Sequence, residues 1–200
     1  MFEVDKNKKV SVKRIGKDKR LILVRSSIME QLVIEQVDPI TSDYEFKVNR
    51  FEGLIYMIGY KRNEAFVPLY IGKTETLGRN GGNISANIIN IHTDRSKFAR
   101  WGDNYAYHIG DLSACVLDGH KPDKVTLQYQ SWAKTLFEVD ATGQPRLRET
   151  VYFWAKAWDI QDVGIWQELG ATSLAFLEYM LIGVAGMTTK LLNREGISRG

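Results

Sequence analysis

Two hundred residues, 44% hydrophobic and 26% charged, have the balance of a globular, water-soluble chain able to bury one ordinary core, with room for a terminal extension. The single cysteine, Cys115, cannot close an internal disulfide and no leader-like segment opens the chain, so a reducing cytoplasm is the expected compartment. The most apolar helical run, SLAFLEYMLIGVAGM, carries Glu178 and falls short of the ~18 to 20 residues that cross a bilayer, which sets a membrane partner aside.

Net charge is +3 but uneven: residues 1–25 hold nine Lys and Arg against Glu3, Asp5 and Asp18, which leaves +6 there and −3 on the remainder. Such a stripe can neutralise phosphates of nucleic acid or of anionic lipid, and it is equally compatible with a solvated arm or a charged strand pair. KKVSVKRI and KRLILVRSS have strand character, and IGKDK between them reads as a tight turn. SIMEQLVIEQVDP reads as a short helix that stops before Pro39. Residues 1–50 are therefore expected to form a basic N-terminal extension.

Gly53 to Tyr60 and Phe66 to Lys73 read as two strands joined by KRNEA, an antiparallel hairpin. A turn centred on Asn63 places Tyr56 directly opposite Tyr70, and period-two alternation then puts both phenols on one face. Pro68 lacks an N–H, which suits an edge or bulged strand. GRNGGN is a glycine-rich loop, and ISANIINIHTDRSKFARW is predicted to be a helix ending before Gly102. NYAYHIGDLSACVL is expected to be a third strand, a helix is expected from about Asp123, TGQPRL is a turn, and ETVYFWAKAW alternates as a strand. The final helix is predicted to start at a Thr172/Ser173 cap and to run through SLAFLEYMLIGVA to Gly186. The expected fold is α/β (α+β): a small antiparallel three-stranded sheet flanked by helices, with N-terminal and internal elaborations.

Glu178 falls four residues after Leu174, one after Leu177 and three before Leu181, on the face expected to be buried. A carboxylate there needs an ion-pair partner, hydrogen bonds, a metal or a polar cleft. His92, His108 and His120 lack Cys or His neighbours at zinc-ligand spacing, and neither a serine-hydrolase pattern nor a phosphate loop is present, since GVAGMTTK follows a helix and ends in TTK.

GLIY at 53–56 and YIGK at 70–73, with Glu178 and Asn193 fifteen residues apart in EYMLIGVAGMTTKLLN, resemble the motifs of the GIY-YIG nucleases over about Gly53 to Asn193. The resemblance implies a metal-dependent DNA endonuclease, of type II restriction character, on a domain spanning 51–200 with insertions at about 74–97 and 113–168. A repair or mobile-element nuclease, or a noncatalytic nucleic-acid-binding module on the same fold, are the alternatives. It also implies roles. Tyr56 would accept the proton of the attacking water, Tyr70 would position water or phosphate, and Lys73 would supply the cation that favours a phenolate. Arg100, with Arg79 and Arg95 as alternatives, would hold the scissile phosphate. Glu178 would bind one Mg²⁺, or another divalent ion such as Mn²⁺; Asn193 would brace the site, and His108 is a candidate proton carrier on the expected third strand. Duplex DNA is the implied partner, with a homodimer expected at least on DNA. The chemistry favours these residue types in its own right, because in-line attack on a phosphodiester needs an activated water and stabilisation of negative charge.

Overall fold

The computed structural model describes residues 1–15, 19–78, 81, 83–93, 106–139 and 143–193. The chain divides into two compact units, one of Met1–Glu30 with Ser96–Val151 and one of Gln31–Arg95 with Tyr152–Gly200. The first thirty residues thus belong to the same unit as the middle of the chain, so the unit boundary does not fall at residue 50.

In the first unit, strands β1 (Val12–Ile15) and β2 (Arg20–Leu23) form the expected antiparallel hairpin. A lone hairpin cannot bury its apolar side chains. Here Ile22 and Leu23 are both buried, and α3 (Ile109–Val116) packs on β2 and on α4 (Leu127–Leu136). Ser113 on α3 accepts a hydrogen bond from the Leu23 amide at 3.0 Å. Two short strands, β5 (Phe137–Val139) and β6 (Pro145–Leu147), pair beside them. The expectation of a third strand over NYAYHIGDLSACVL is corrected: residues 106–108 form a 3₁₀ turn and 109–116 a helix. Ile109, Leu112 and Ser113 recur at helical spacing and are buried, so the 3.6-residue period outweighs the apparent alternation.

In the second unit, α1 (Ser27–Phe46), whose first four residues count with the other unit, continues through Pro39, where a stop was expected. An interior proline costs about 3 kcal/mol. Burial of Val33, Val37 and Ile40, at roughly 1.5 to 3 kcal/mol each, outweighs that loss. After the helix, the Asp43 carboxylate accepts from the Arg50 and Phe51 amides and fixes the entry of the next strand.

That strand, β3 (Phe51–Arg62), lies between β4 (Ala65–Glu75) and β7 (Tyr152–Asp159) in an antiparallel sheet of order β4-β3-β7. β7 is therefore the third strand, and it comes from within the stretch expected to be an insertion at 113–168. The β3–β4 turn is Asn63–Glu64, with φ of 48° and 63°, the paired left-handed geometry that matches strand twist. Helices α2 (Ala86–Thr93) and α5 (Leu174–Gly186) complete the unit, α5 capped by Ser173 as the sequence indicates.

Candidate functional site

The hairpin register differs from the one expected. Pairing runs Arg62 with Ala65 to Gly59 with Pro68, and then slips, so that Ile58 pairs with Tyr70 and Leu69 is the extra residue. Pro68 sits at that bulge, on the sheet's outer strand, where a missing donor is tolerated. The two-residue turn shifts the ladder by one position and the slip by a second, so Tyr56 lies opposite Gly72 rather than Tyr70. Both phenols still share a face, because Tyr70 and Gly72 are two residues apart. Their ring centroids are 6.1 Å apart and tilted by 40°, and Phe153 of β7 stacks on Tyr56 at 5.7 Å. Tyr56 is buried and Tyr70 half-buried.

Gly72 makes this arrangement possible, a role that sequence reasoning missed although the residue stands inside the YIG run. A Cβ there would lie 2.7 Å from Tyr70 Cε1 and 2.8 Å from Tyr56 Cζ and Oη. The Tyr56 hydroxyl thus reaches across the hairpin to the backbone of β4. Gly53, at φ +152°, is a second required glycine: an added Cβ would meet the Thr74 carbonyl at 2.2 Å and Leu174 at 2.9 Å.

Asn193 is held against the same strand. Its side-chain carbonyl accepts from the Ile71 amide at 3.1 Å, its amide donates to the Ile71 carbonyl at 2.7 Å, and the Leu192 amide donates to Leu69 O at 2.7 Å. The segment after α5 therefore occupies part of β4's outer edge, which satisfies backbone groups an edge strand would otherwise leave open.

The opposite face carries Ile55, Met57, Ile71, Lys73 and Trp158 by strand alternation. Helix α5 packs there, its Leu174, Leu177 and Ile182 forming one cluster with Ile55, Ile71, Trp158 and Leu191. Glu52 accepts from the Leu174 amide at 2.6 Å and Thr172 O accepts from Trp158 Nε1 at 2.7 Å, which fixes the start of the helix on the sheet. Glu178 lies on the second turn of α5 and is half-buried. Lys73 donates to Glu75 on the same face. The two phenols and Asn193 are thus gathered at β4, whereas Lys73 and the helix that bears Glu178 belong to the other side of the sheet. The outer edge of β4 is where groups from the two sides can meet.

Arg79, Arg95 and Arg100 lie outside the described residues. His108 is in the first unit and on a 3₁₀ turn rather than a strand. Its Nδ1 shares a 2.5 Å hydrogen bond with the Tyr129 hydroxyl and its ring stands 4.8 Å from Trp132. Burial pushes its pKa down to about 3, which keeps the imidazole neutral.

An open cavity of about 590 Å³ lies elsewhere in the second unit, between the α1–β3 connection and the start of α5, with Asp43, Glu45, Glu52 and Glu75 on its walls. Asp43 and Glu52 are committed to the backbone amides named above, which gives them structural work. Among the described residues, no group of three or more His, Cys, Asp or Glu side chains is arranged to hold a metal ion. No helix is long and apolar enough to cross a membrane among those residues.

Compared with known proteins, the chain matches no family model, no curated protein and no solved structure.

Proposed function

We propose that the chain is a divalent-metal-dependent endonuclease that hydrolyses phosphodiester bonds of duplex DNA at the outer edge of β4. The observation that carries this reading is the pair of phenols from adjacent strands, set together over Gly72 on a strand that Asn193 braces. A half-buried tyrosine is most often a packing residue. A glycine that leaves room for two of them favours chemistry over packing.

Tyr56 accepts the proton of the attacking water, directly or by relay. A phenol with its usual pKa of ~10 does this where a nearby cation favours the phenolate; Lys73 faces the other side of the sheet and pairs with Glu75, so that part is given to an arginine. Tyr70 positions water or phosphate, and Arg100, or in its place Arg95 or Arg79, holds the phosphoryl oxygens through charge-assisted hydrogen bonds. Asn193 keeps β4 in place. Glu178 is the residue that would hold Mg²⁺ or Mn²⁺, which when bound supplies stabilisation of the negative charge on phosphate and leaving oxygen. One carboxylate suits an ion that retains several waters and takes oxygens from its substrate, whereas a site built wholly from protein ligands needs the converging group that the described residues lack.

Target recognition then falls to the elements outside the three-stranded sheet, as in a restriction-type enzyme, and cutting both strands calls for two copies on the DNA. Incubation of the chain with a panel of duplexes, in Mg²⁺ and in chelator, tests the proposal. Discrete Mg²⁺-dependent fragments are expected, and nicking confined to distorted DNA would mark a repair enzyme instead. Glu178→Gln is expected to slow cleavage at least ~100-fold, with circular dichroism and duplex binding unchanged. Retarded duplexes that the wild type never cuts would make the chain a noncatalytic binding module.

A further inference from the structure

The first unit gathers basic side chains that are distant in sequence. The backbone of residues 8–10 pairs with β6: the Leu147 amide donates to Lys8 O at 2.9 Å, the Val10 amide donates to Pro145 O at 2.9 Å, and Lys9 bridges Arg146. β6 pairs in turn with β5, with Arg146 opposite Glu138. Lys9, Arg146 and Glu138 therefore form one cross-strand row on one face, while the neighbouring Val10 and Leu147 are buried. Arg146 and Arg148 both donate to Glu138, at 2.6 and 2.8 Å. Arg148 also donates to Lys134 O at 3.1 Å, and Lys8 Nζ to Arg148 O at 3.3 Å. Lys6 and Lys8 flank an open pocket of about 230 Å³ that Glu138, Arg146 and Arg148 also line. The nearby Asp5 carboxylate is turned to the Asn7 and Lys9 amides.

Lys6, Lys8, Arg146 and Arg148 thus line one pocket with a carboxylate shared between the two arginines, and Lys9 stands beside Arg146 on the next strand. Glu138 orients the two guanidinium groups, whose planar N–H forks have the geometry that suits a phosphate diester. The Arg146 hydrogen bond, followed by the charges of Arg146, Arg148 and Lys8, holds the Glu138 carboxyl below the usual carboxylate range. Among the described residues, the exposed large apolar side chains of this unit, Val4, Ile28 and Leu127, do not line this pocket, which favours a polyanion over a lipid surface.

We infer that Lys6, Lys8, Lys9, Arg146 and Arg148 form a docking surface for the sugar-phosphate backbone of duplex DNA, a second contact region separate from the β4 edge. This surface rests on the reading of the chain as one that acts on DNA. It contacts backbone and carries no sequence readout, so it contributes affinity to all duplexes alike.

Anisotropy of a labelled short duplex with the full chain, in EDTA so that no cleavage intervenes, tests the inference. Lys8→Ala/Arg146→Ala is expected to weaken binding about tenfold and to flatten the slope of log K against log salt by roughly 1.8, that is about 0.9 per lost phosphate contact. Lys6→Ala/Lys8→Ala, which leaves the Arg146 and Arg148 ion pairs with Glu138 in place, is expected to do the same, and Lys61→Ala in the other unit to change neither quantity. Unaltered affinity and slope in both double variants, with the wild type still bound, would overturn this surface and leave the endonuclease reading standing. Salt-dependent binding that these variants weaken, without Mg²⁺-dependent cutting by the wild type, would support the surface and overturn the endonuclease. A wild type that binds vesicles of anionic lipid but no duplex would overturn both.

Discussion

A methyl group added at Gly72 would stand 2.7 Å from one tyrosine ring and 2.8 Å from the other, closer than carbon atoms pack, and neither ring has a flexible end that can move aside. Gly72→Ala is therefore expected to push the phenols apart, destabilise the second unit by about 1 to 3 kcal/mol in a urea titration and slow cleavage more than tenfold. An unchanged urea midpoint together with unchanged cleavage would show that the two rings do not depend on this gap. The shared face of Tyr56 and Tyr70 was expected from a turn centred on Asn63, but it holds because two one-residue offsets, the Asn63–Glu64 turn and the bulge at Leu69, compensate each other. Neither offset has a sequence signal strong enough to place it: KRNEA admits more than one turn position, and the bulge at Leu69 arises where Pro68 interrupts the hairpin ladder. Asn193 had a signal only in its spacing from Glu178; that its side chain completes the β4 edge at Ile71 is a tertiary fact.

Among the elements, those with a strong local signal were legible and those decided by packing were not. The central hairpin, β7 and the Ser173-capped α5 follow from alternation, turn residues and a capping serine. Pro39 read as a helix end because local propensity omits the buried face on which Val33, Val37 and Ile40 lie. The 104–117 stretch read as a strand because NYAYH alternates, yet from Ile109 onward its apolar residues follow the helical period. Tyr107 and His108, at φ 54° and 66°, turn the chain into that helix.

The half-buried His108, packed against Tyr129 and Trp132, gives α3 and α4 a defined pH response. Its folded pKa of about 3 lies below the model-peptide 6.5, so the stability it contributes is full above pH 6.5 and falls as pH drops toward 3. Asp111, whose carboxyl burial pushes up to about 6, acts the other way: its protonation on acidification favours the fold. Substitution separates the two. The thermal midpoint of wild type minus that of His108→Gln is expected to shrink from pH 7.5 to pH 5, within the window those pKa values define. A difference that stays constant over that range would mean the imidazole is not buried neutral.

At the scale of the molecule, the sequence showed that basic charge concentrates in residues 1–25 but not what it meets. Chain topology brings Lys8 and Lys9 beside Arg146, a pairing separated by more than a hundred positions that no local pattern encodes. The same topology divides the chemistry: a sheet bearing phenols and a carboxylate-bearing helix in one unit, a basic surface in the other. That division suits a nuclease, in which affinity for backbone and the geometry of bond breaking are separate tasks.

The central claim is that the phenol of Tyr56 takes part in breaking a phosphodiester, and Tyr56→Phe isolates it, because the variant keeps the ring stacked on Phe153 and removes only the hydroxyl. Single-turnover cleavage of duplex DNA in Mg²⁺ by Tyr56→Phe is predicted to be about 100-fold or more slower than by wild type, with equal circular dichroism and equal duplex affinity. Rates for the two proteins that agree within measurement error would contradict the account.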